Sequence, residues 1–241
     1  METERPKTSA RETVTDLVLE FLEAAVHEFL CVVRALQHFD AVRLLCQAES
    51  FEQRVLYDVP IHMNRHPLLC EYIHSMLVGC RTWLLRAELE KVCVVLLSKE
   101  GQTLETLVVE PGWSAVFMEA AASDEDPPLP LVQLEEAFRA GLVALVATPV
   151  SGAVRQSEPS TPHSFRILAQ TIEDATSHAT AINESDAANS WVLADPFWCE
   201  DQKKPKEIFP VKAVHLDASP FRLNVYMEKR PAASEPEASG R

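Results

Sequence analysis

KVCVVLLSKEGQTLETLVVEP, residues 91–111, decides the fold class. Residues 91–99 form an almost unbroken apolar run rich in β-branched side chains, too short for a long helix. The polar KEGQ segment then turns the chain, and TLETLVVEP returns in the same style. Two such runs across a short Gly-containing loop predict an antiparallel hairpin whose first strand is buried on both faces. A strand buried on both faces needs cover, and the flanking sequence must supply it.

The cover on the N-terminal side is TVTDLVLEFLEAAVHEFLCVVRAL, residues 13–36, which predicts a long helix with Thr13 and Asp16 as a capping pair. Asp16, Glu20, Glu23 and His27 recur at steps of four, three and four and make one narrow polar stripe on an otherwise apolar surface. Such a helix belongs in the centre of a domain, and its charges exclude a membrane span. VLYDVPIHM, residues 55–63, reads as an extended strand with Pro60 at an edge or bulge, while residues 38–54 mix helix-like and loop-like features. Pro67 opens a second helix through LLCEYIHSMLVGCRTWLLRA, with Leu69, Ile73, Met76, Cys80 and Leu84 as its apolar stripe.

Downstream of the hairpin, residues 111–130 form an acidic, Pro-rich loop containing SDEDPPLP, and LVQLEEAFRAGLVALVA at 131–147 predicts a third helix. A polar loop at 150–164 precedes a strand, FRILAQTI, at 165–172. Short strand-like runs follow at 191, 207 and 221. The order predicts an α+β domain, a three-helix layer on one face of a mostly antiparallel sheet.

Composition narrows the function classes. A net charge of −14 argues against direct nucleic-acid binding, which draws on Lys and Arg. The N-terminus lacks signal-peptide character. Six cysteines at 31, 46, 70, 80, 93 and 199 show no CxxC pair and read as reduced core thiols. His62, His66, Cys70 and His74 recur every four residues, the spacing of a zinc site on one helix face. Pro67 disfavours helical conformation at His66, leaving only Cys70 and His74 as a helical pair and no metal site expected. With six glycines and no phosphate-cradling or nucleophile-elbow motif, no catalytic residue is assigned and no cofactor is expected. Glu20 with Glu23, and Glu135 with Glu136, have the spacing of solvated helix faces.

Two aromatics stand out without defining a site alone. Tyr72 lies on the edge of the second helix's apolar stripe, and Trp191 opens the WVLAD run; half-buried packing and ligand contact both fit them.

Taken together, VTDLVLEFLEAAVHEFLCVVR, YDVPIHM, HPLLCEYI, LEKVCVVLLSKE, FRAGLVAL, WVLAD, IFPVK and LNVYMEKR resemble, in order, the HORMA-domain accessory (non-catalytic) subunits of translesion DNA polymerase zeta. This is the mitotic-arrest-deficient-2-like protein 2 family. The resemblance implies a HORMA domain over residues 11–229 between disordered tails at 1–10 and 230–241. Its mobile C-terminal safety belt, roughly 173–229, closes over a proline-containing peptide that adds a strand to the sheet. It implies a nuclear adaptor without enzymatic activity, with the cytoplasm also open to it.

Residue by residue, the resemblance gives Tyr72 and Trp191 to peptide binding. Ile208, Asn224 and Tyr226 fall to a second-partner surface for the C-terminal domain of the deoxycytidyl-transferase translesion polymerase. Arg139 falls to a HORMA–HORMA dimer surface, homo- or heterodimeric. The implied partners are the polymerase zeta catalytic subunit, that second polymerase and an AAA+ remodeller, with no membrane. Segment 38–54, the SDEDPPLP loop and residues 177–190 depart from the family pattern, and Trp198 has no counterpart in it.

Overall fold

In the computed structural model, the residues described are 9–34, 51–114, 131–148, 164–172, 191–192, 194, 206–215 and 221–229. Helix α1 (Ala10–Arg34) begins one turn earlier than its apolar period suggests. Its cap is Ser9 with Glu12, not Thr13 with Asp16. The Ser9 hydroxyl accepts the Glu12 N–H at 3.2 Å, and the Glu12 carboxylate accepts the Ser9 N–H at 2.9 Å. This reciprocal pairing satisfies two N–H groups that the helix itself leaves open.

The polar stripe of α1 stays at the surface at Asp16 and Glu20, as the helix-surface spacing suggests, and each acidic member also meets a partner from elsewhere in the chain. Asp16 receives Arg81 Nε at 3.0 Å, Glu20 receives the Tyr57 hydroxyl at 2.9 Å, and Glu23 lies 3.1 Å from His74 Nδ1. The other faces pack into the core through Val14, Val18, Phe21, Leu22, Ala25 and Phe29.

The segment 55–63 is two strands rather than one. β1 (Phe51–Leu56) and β2 (Val59–Asn64) form an antiparallel hairpin in which Leu56 pairs with Val59. Its turn residues Tyr57 and Asp58 both have positive φ, 48° and 58°. A two-residue turn of this hand normally uses Asn-Gly, so the strain is held by tertiary contacts. The Tyr57 hydroxyl bonds Glu20, and its ring lies 5.9 Å from that of Phe138.

Helix α2 (Pro67–Gly79) starts at Pro67 behind an extended His66, as the proline requires. It ends at Gly79, and the one-turn α3 (Arg81–Leu85) follows immediately, so the expected second helix is broken in two. The deciding hairpin is β3 (Leu89–Leu97) with β4 (Thr103–Trp113), in register Val92 to Val109, and Gly101 takes the left-handed turn position at φ 77°. α4 (Leu131–Ala147) matches its expected span and lies against α1 and β6. β5 (Ser164–Thr171), β6 (Glu207–His215) and β7 (Phe221–Lys229) complete a five-stranded sheet of order β5-β3-β4-β7-β6, antiparallel throughout.

Strict alternation in β7 shows how the sheet is covered. Phe221, Leu223, Val225 and Met227 face the helices and join the main core. The opposite face carries a smaller cluster of Cys93, Val95, Leu97 and Val108, with Leu168 and Tyr226 against it. Burial pushes the Cys80 and Cys93 thiols up to about 12, so both stay protonated, unreactive packing groups. Cys70, Cys80 and Cys93 are unbridged thiols. No helix among the described residues is long and apolar enough to cross a membrane.

Candidate functional site

The C-terminal hairpin β6–β7 docks on β4, which leaves β5 at the other end of the sheet with β3 as its neighbour and no described strand beyond it. An open strand edge is a row of backbone donors and acceptors that can pair with an added strand. The edge strand itself carries exposed Ser164, Arg166 and Gln170, and an aromatic pair stands beside it. Tyr72, on the second turn of α2, sets its ring 5.9 Å from Phe165 of β5 in an edge-on arrangement. Leu68, one helical turn before Tyr72, is 69% exposed, and Tyr72 is 40% exposed.

Trp191 is not part of a strand, contrary to the β-like appearance of its run. Its ring packs 5.3 Å from that of Trp83 and lies over Gly79. Gly79 stands seven residues after Tyr72, two helical turns on the same face and roughly 10 Å farther along the axis. The structure therefore brings Tyr72 and Trp191 to one face of α2. Trp198 and residues 177–190 lie outside the described residues.

The chain next re-enters on the other side of the sheet. Lys206, just before β6, bonds Glu228 at 2.6 Å on the face away from the helices. Cross-strand pairing puts Ile208 opposite Glu228 and Pro210 opposite Tyr226, so Ile208, Asn224 and Tyr226 share that outer face. Glu110, their neighbour on β4, holds two of them: its carboxylate accepts the Tyr226 hydroxyl at 2.6 Å and the Asn224 amide at 3.3 Å. Burial and then this carboxylate raise the Tyr226 phenol far above its ordinary range, fixing it as a donor. Ile208 is 64% exposed.

Arg139 lies on the exposed side of α4 with its guanidinium 4.0 Å from the Asp58 carboxylate. The four residues of the zinc-like spacing are engaged separately. The Glu28 carboxylate accepts the His62 backbone N–H at 2.6 Å, Cys70 Sγ donates to the Asn64 carbonyl at 2.8 Å, and His74 pairs with Glu23. His66 caps α2.

Sequence reasoning missed Gly79, Trp83, Phe165 and Glu110. Only Gly79 left a signal, as a glycine inside an otherwise helical pattern with no turn residue beside it.

The five-stranded antiparallel sheet with its helices on one face is shared with solved structures. A chain in the crystal structure of the mitotic checkpoint complex matches at a TM-score of 0.59, with 16% identity, over 91% of this chain and 99% of that one. The C. elegans protein HTP-1 bound to the HIM-3 closure motif matches at 0.58, with 11% identity, over 92% of each chain. The fold of this chain is therefore the HORMA fold. In sequence the chain is similar to the human protein named mitotic spindle assembly checkpoint protein MAD2B, 29% identical over 219 residues that cover 91% of this chain and 92% of that protein. The zebrafish MAD2B is 28% identical over 222 residues at the same coverage. The Arabidopsis DNA polymerase zeta processivity subunit is 26% identical over 196 residues, 78% of this chain and 76% of that one. The family resemblance read from the residues is thus the one these relatives bear out. No family model matches the chain.

Proposed function

We propose that this chain is a non-enzymatic adaptor of DNA polymerase zeta, acting in the nucleus in DNA damage tolerance. It captures a proline-containing linear motif of the catalytic subunit at the β5 edge and offers its outer face to a second translesion polymerase. The observation that carries this reading is the strand order: with β6–β7 docked on β4, the β5 edge is left for an added strand, flanked by Tyr72. Aromatic side chains suit a proline-containing ligand, since they bury large area with few rotors. Two anchors support a belt. Trp191 is held on the helix side of the sheet and Lys206 on the opposite face, and the chain must join them.

Asn224, Tyr226 and Ile208 form the proposed second-partner surface, which Glu110 orders. Arg139, with the exposed Val143 one turn on, is the proposed dimer surface. The test is co-purification of the full chain with the polymerase zeta catalytic subunit. The wild type should retain it and the Tyr72→Ala/Trp191→Ala double variant should lose it; equal recovery of both would refute the assignment.

A second reading, a HORMA regulator of the spindle checkpoint or the chromosome axis, is favoured by the fold likeness to HTP-1 bound to a closure motif. It expects capture of an axis or kinetochore peptide and no association with translesion polymerases, which affinity purification with mass spectrometry separates.

A further inference from the structure

Gly79 does not owe its identity to backbone conformation, because its φ lies outside the left-handed region that calls for glycine. Inside a helix, glycine is less favourable than alanine. What excludes a side chain is Trp191: a Cβ on Gly79 would sit 2.6 Å from the indole Nε1 and 3.4 Å from Cε2, and the three nearest atoms it would meet all belong to Trp191. The other wall is Trp83 on α3, whose ring centroid is 5.3 Å from that of Trp191 at a tilt of 51°. Trp83 is itself anchored, 7% exposed in the main core. The break between α2 and α3 at Cys80 brings glycine and tryptophan together at one corner.

We infer that Gly79 and Trp83 form a preformed seat for Trp191, so that this tryptophan latches the segment after β5 to the α2–α3 corner by contacts within the chain, independently of any bound peptide. The inference deepens the capture reading and rests on it for its purpose. The latch would set how fast a captured peptide escapes, while Tyr72, two turns away along α2, stands at the edge where the peptide lies.

Two indoles this close give exciton-coupled circular dichroism, which reads the latch in the free full-length chain. Wild type should show the couplet, and Trp191→Phe and Trp83→Phe should each remove it. Gly79→Ala is the discriminating variant. It should abolish the couplet without lowering the melting temperature, because alanine is the better helix residue once the indole has left. In complex with the polymerase zeta catalytic subunit, the same variant should release its partner about tenfold faster, as expected for one overpacked contact. A couplet that survives Gly79→Ala, or a melting temperature that drops with it as for a simple core clash, overturns the latch. Failure of the chain to capture the catalytic subunit while the couplet behaves as stated removes the capture reading and leaves the latch standing.

Discussion

β5, the end strand among the described residues, and the outer face at β7 lie three strand spacings apart, roughly 14 Å, and their chemistries differ. β5 carries exposed Ser164, Arg166 and Gln170, but its edge is flanked by the Tyr72–Phe165 aromatic pair, so an added strand would be held along its main chain beside those rings. At β7 the polar side chains are already engaged, with Tyr226 and Asn224 both donating to Glu110. A partner on that face meets a fixed surface of preset orientation rather than an unsatisfied edge. Two sites so separated and so different should bind independently, since effects beyond 7–10 Å without shared partners usually add.

The strongest attempt to break this independence is the loss of both groove aromatics. Tyr72→Ala with Trp191→Ala should weaken capture of the catalytic subunit by about 2 kcal/mol or more, the range of interface hot spots. Binding of the second polymerase's C-terminal domain should not change. Next in size, Glu110→Ala strips the acceptor from two donors at once and should weaken the second polymerase by about 1–2 kcal/mol. Titration calorimetry on each partner in turn checks both variants, and a parallel loss at the two sites would show that the faces are coupled.

The sheet was legible in the chain because its signals are local. The doubly apolar run at 92–97 and the alternation in 221–229 each state their burial within one strand. Helix α1 was legible as a central helix, but the role of its polar stripe was not. Asp16, Glu20 and Glu23 find partners 65, 37 and 51 residues away, and nothing local announces a tertiary hydrogen bond. The Tyr57–Asp58 turn was missed because a bulky Tyr57 at positive φ, with no glycine after Asp58, is not the usual turn pair; Phe138 and Glu20 hold it from outside. Tyr72 and Trp191 stood out as aromatics, but their peptide-binding role entered through family resemblance alone. Their seat at Gly79 and Trp83 exists only once α2 breaks.

Acid should act on the core through His27 of α1. His27 is fully buried in α1, accepts the Asn64 N–H through Nδ1 at 3.4 Å, and has no hydrogen-bond partner for Nε2. Burial, the largest cause, lowers its pKa below the ordinary 6.5, with Arg54 adding to the shift and Glu23 opposing it. The sign follows from proton uptake. Above 6.5 both folded and unfolded chains hold this imidazole neutral, and its contribution is fully present. As pH falls through that value toward the lowered one, the unfolded chain takes up a proton that the folded chain refuses, and stability declines. Urea titrations between pH 7.5 and 5.5 should show this decline, and His27→Gln should flatten it; an unchanged slope would assign the acid sensitivity to other groups.

The smallest effect on stability is expected at Arg139, and for that reason it is the sharpest control on the two-site picture. Its guanidinium is 55% exposed, and its 4.0 Å contact with Asp58, 87% exposed, is a surface pair worth well under about 1 kcal/mol after screening. Arg139→Ala should therefore leave the melting temperature and both partner affinities as they are. Around it on α4, Val132, Val143 and Val146 are 70%, 50% and 41% exposed, and at steps of seven, four and three they share its stripe. If that stripe pairs two HORMA domains, sedimentation of the wild type should depend on concentration and the variant should stay monomeric. Identical sedimentation of the two would leave Arg139 an ordinary solvated arginine and α4 without a role in assembly.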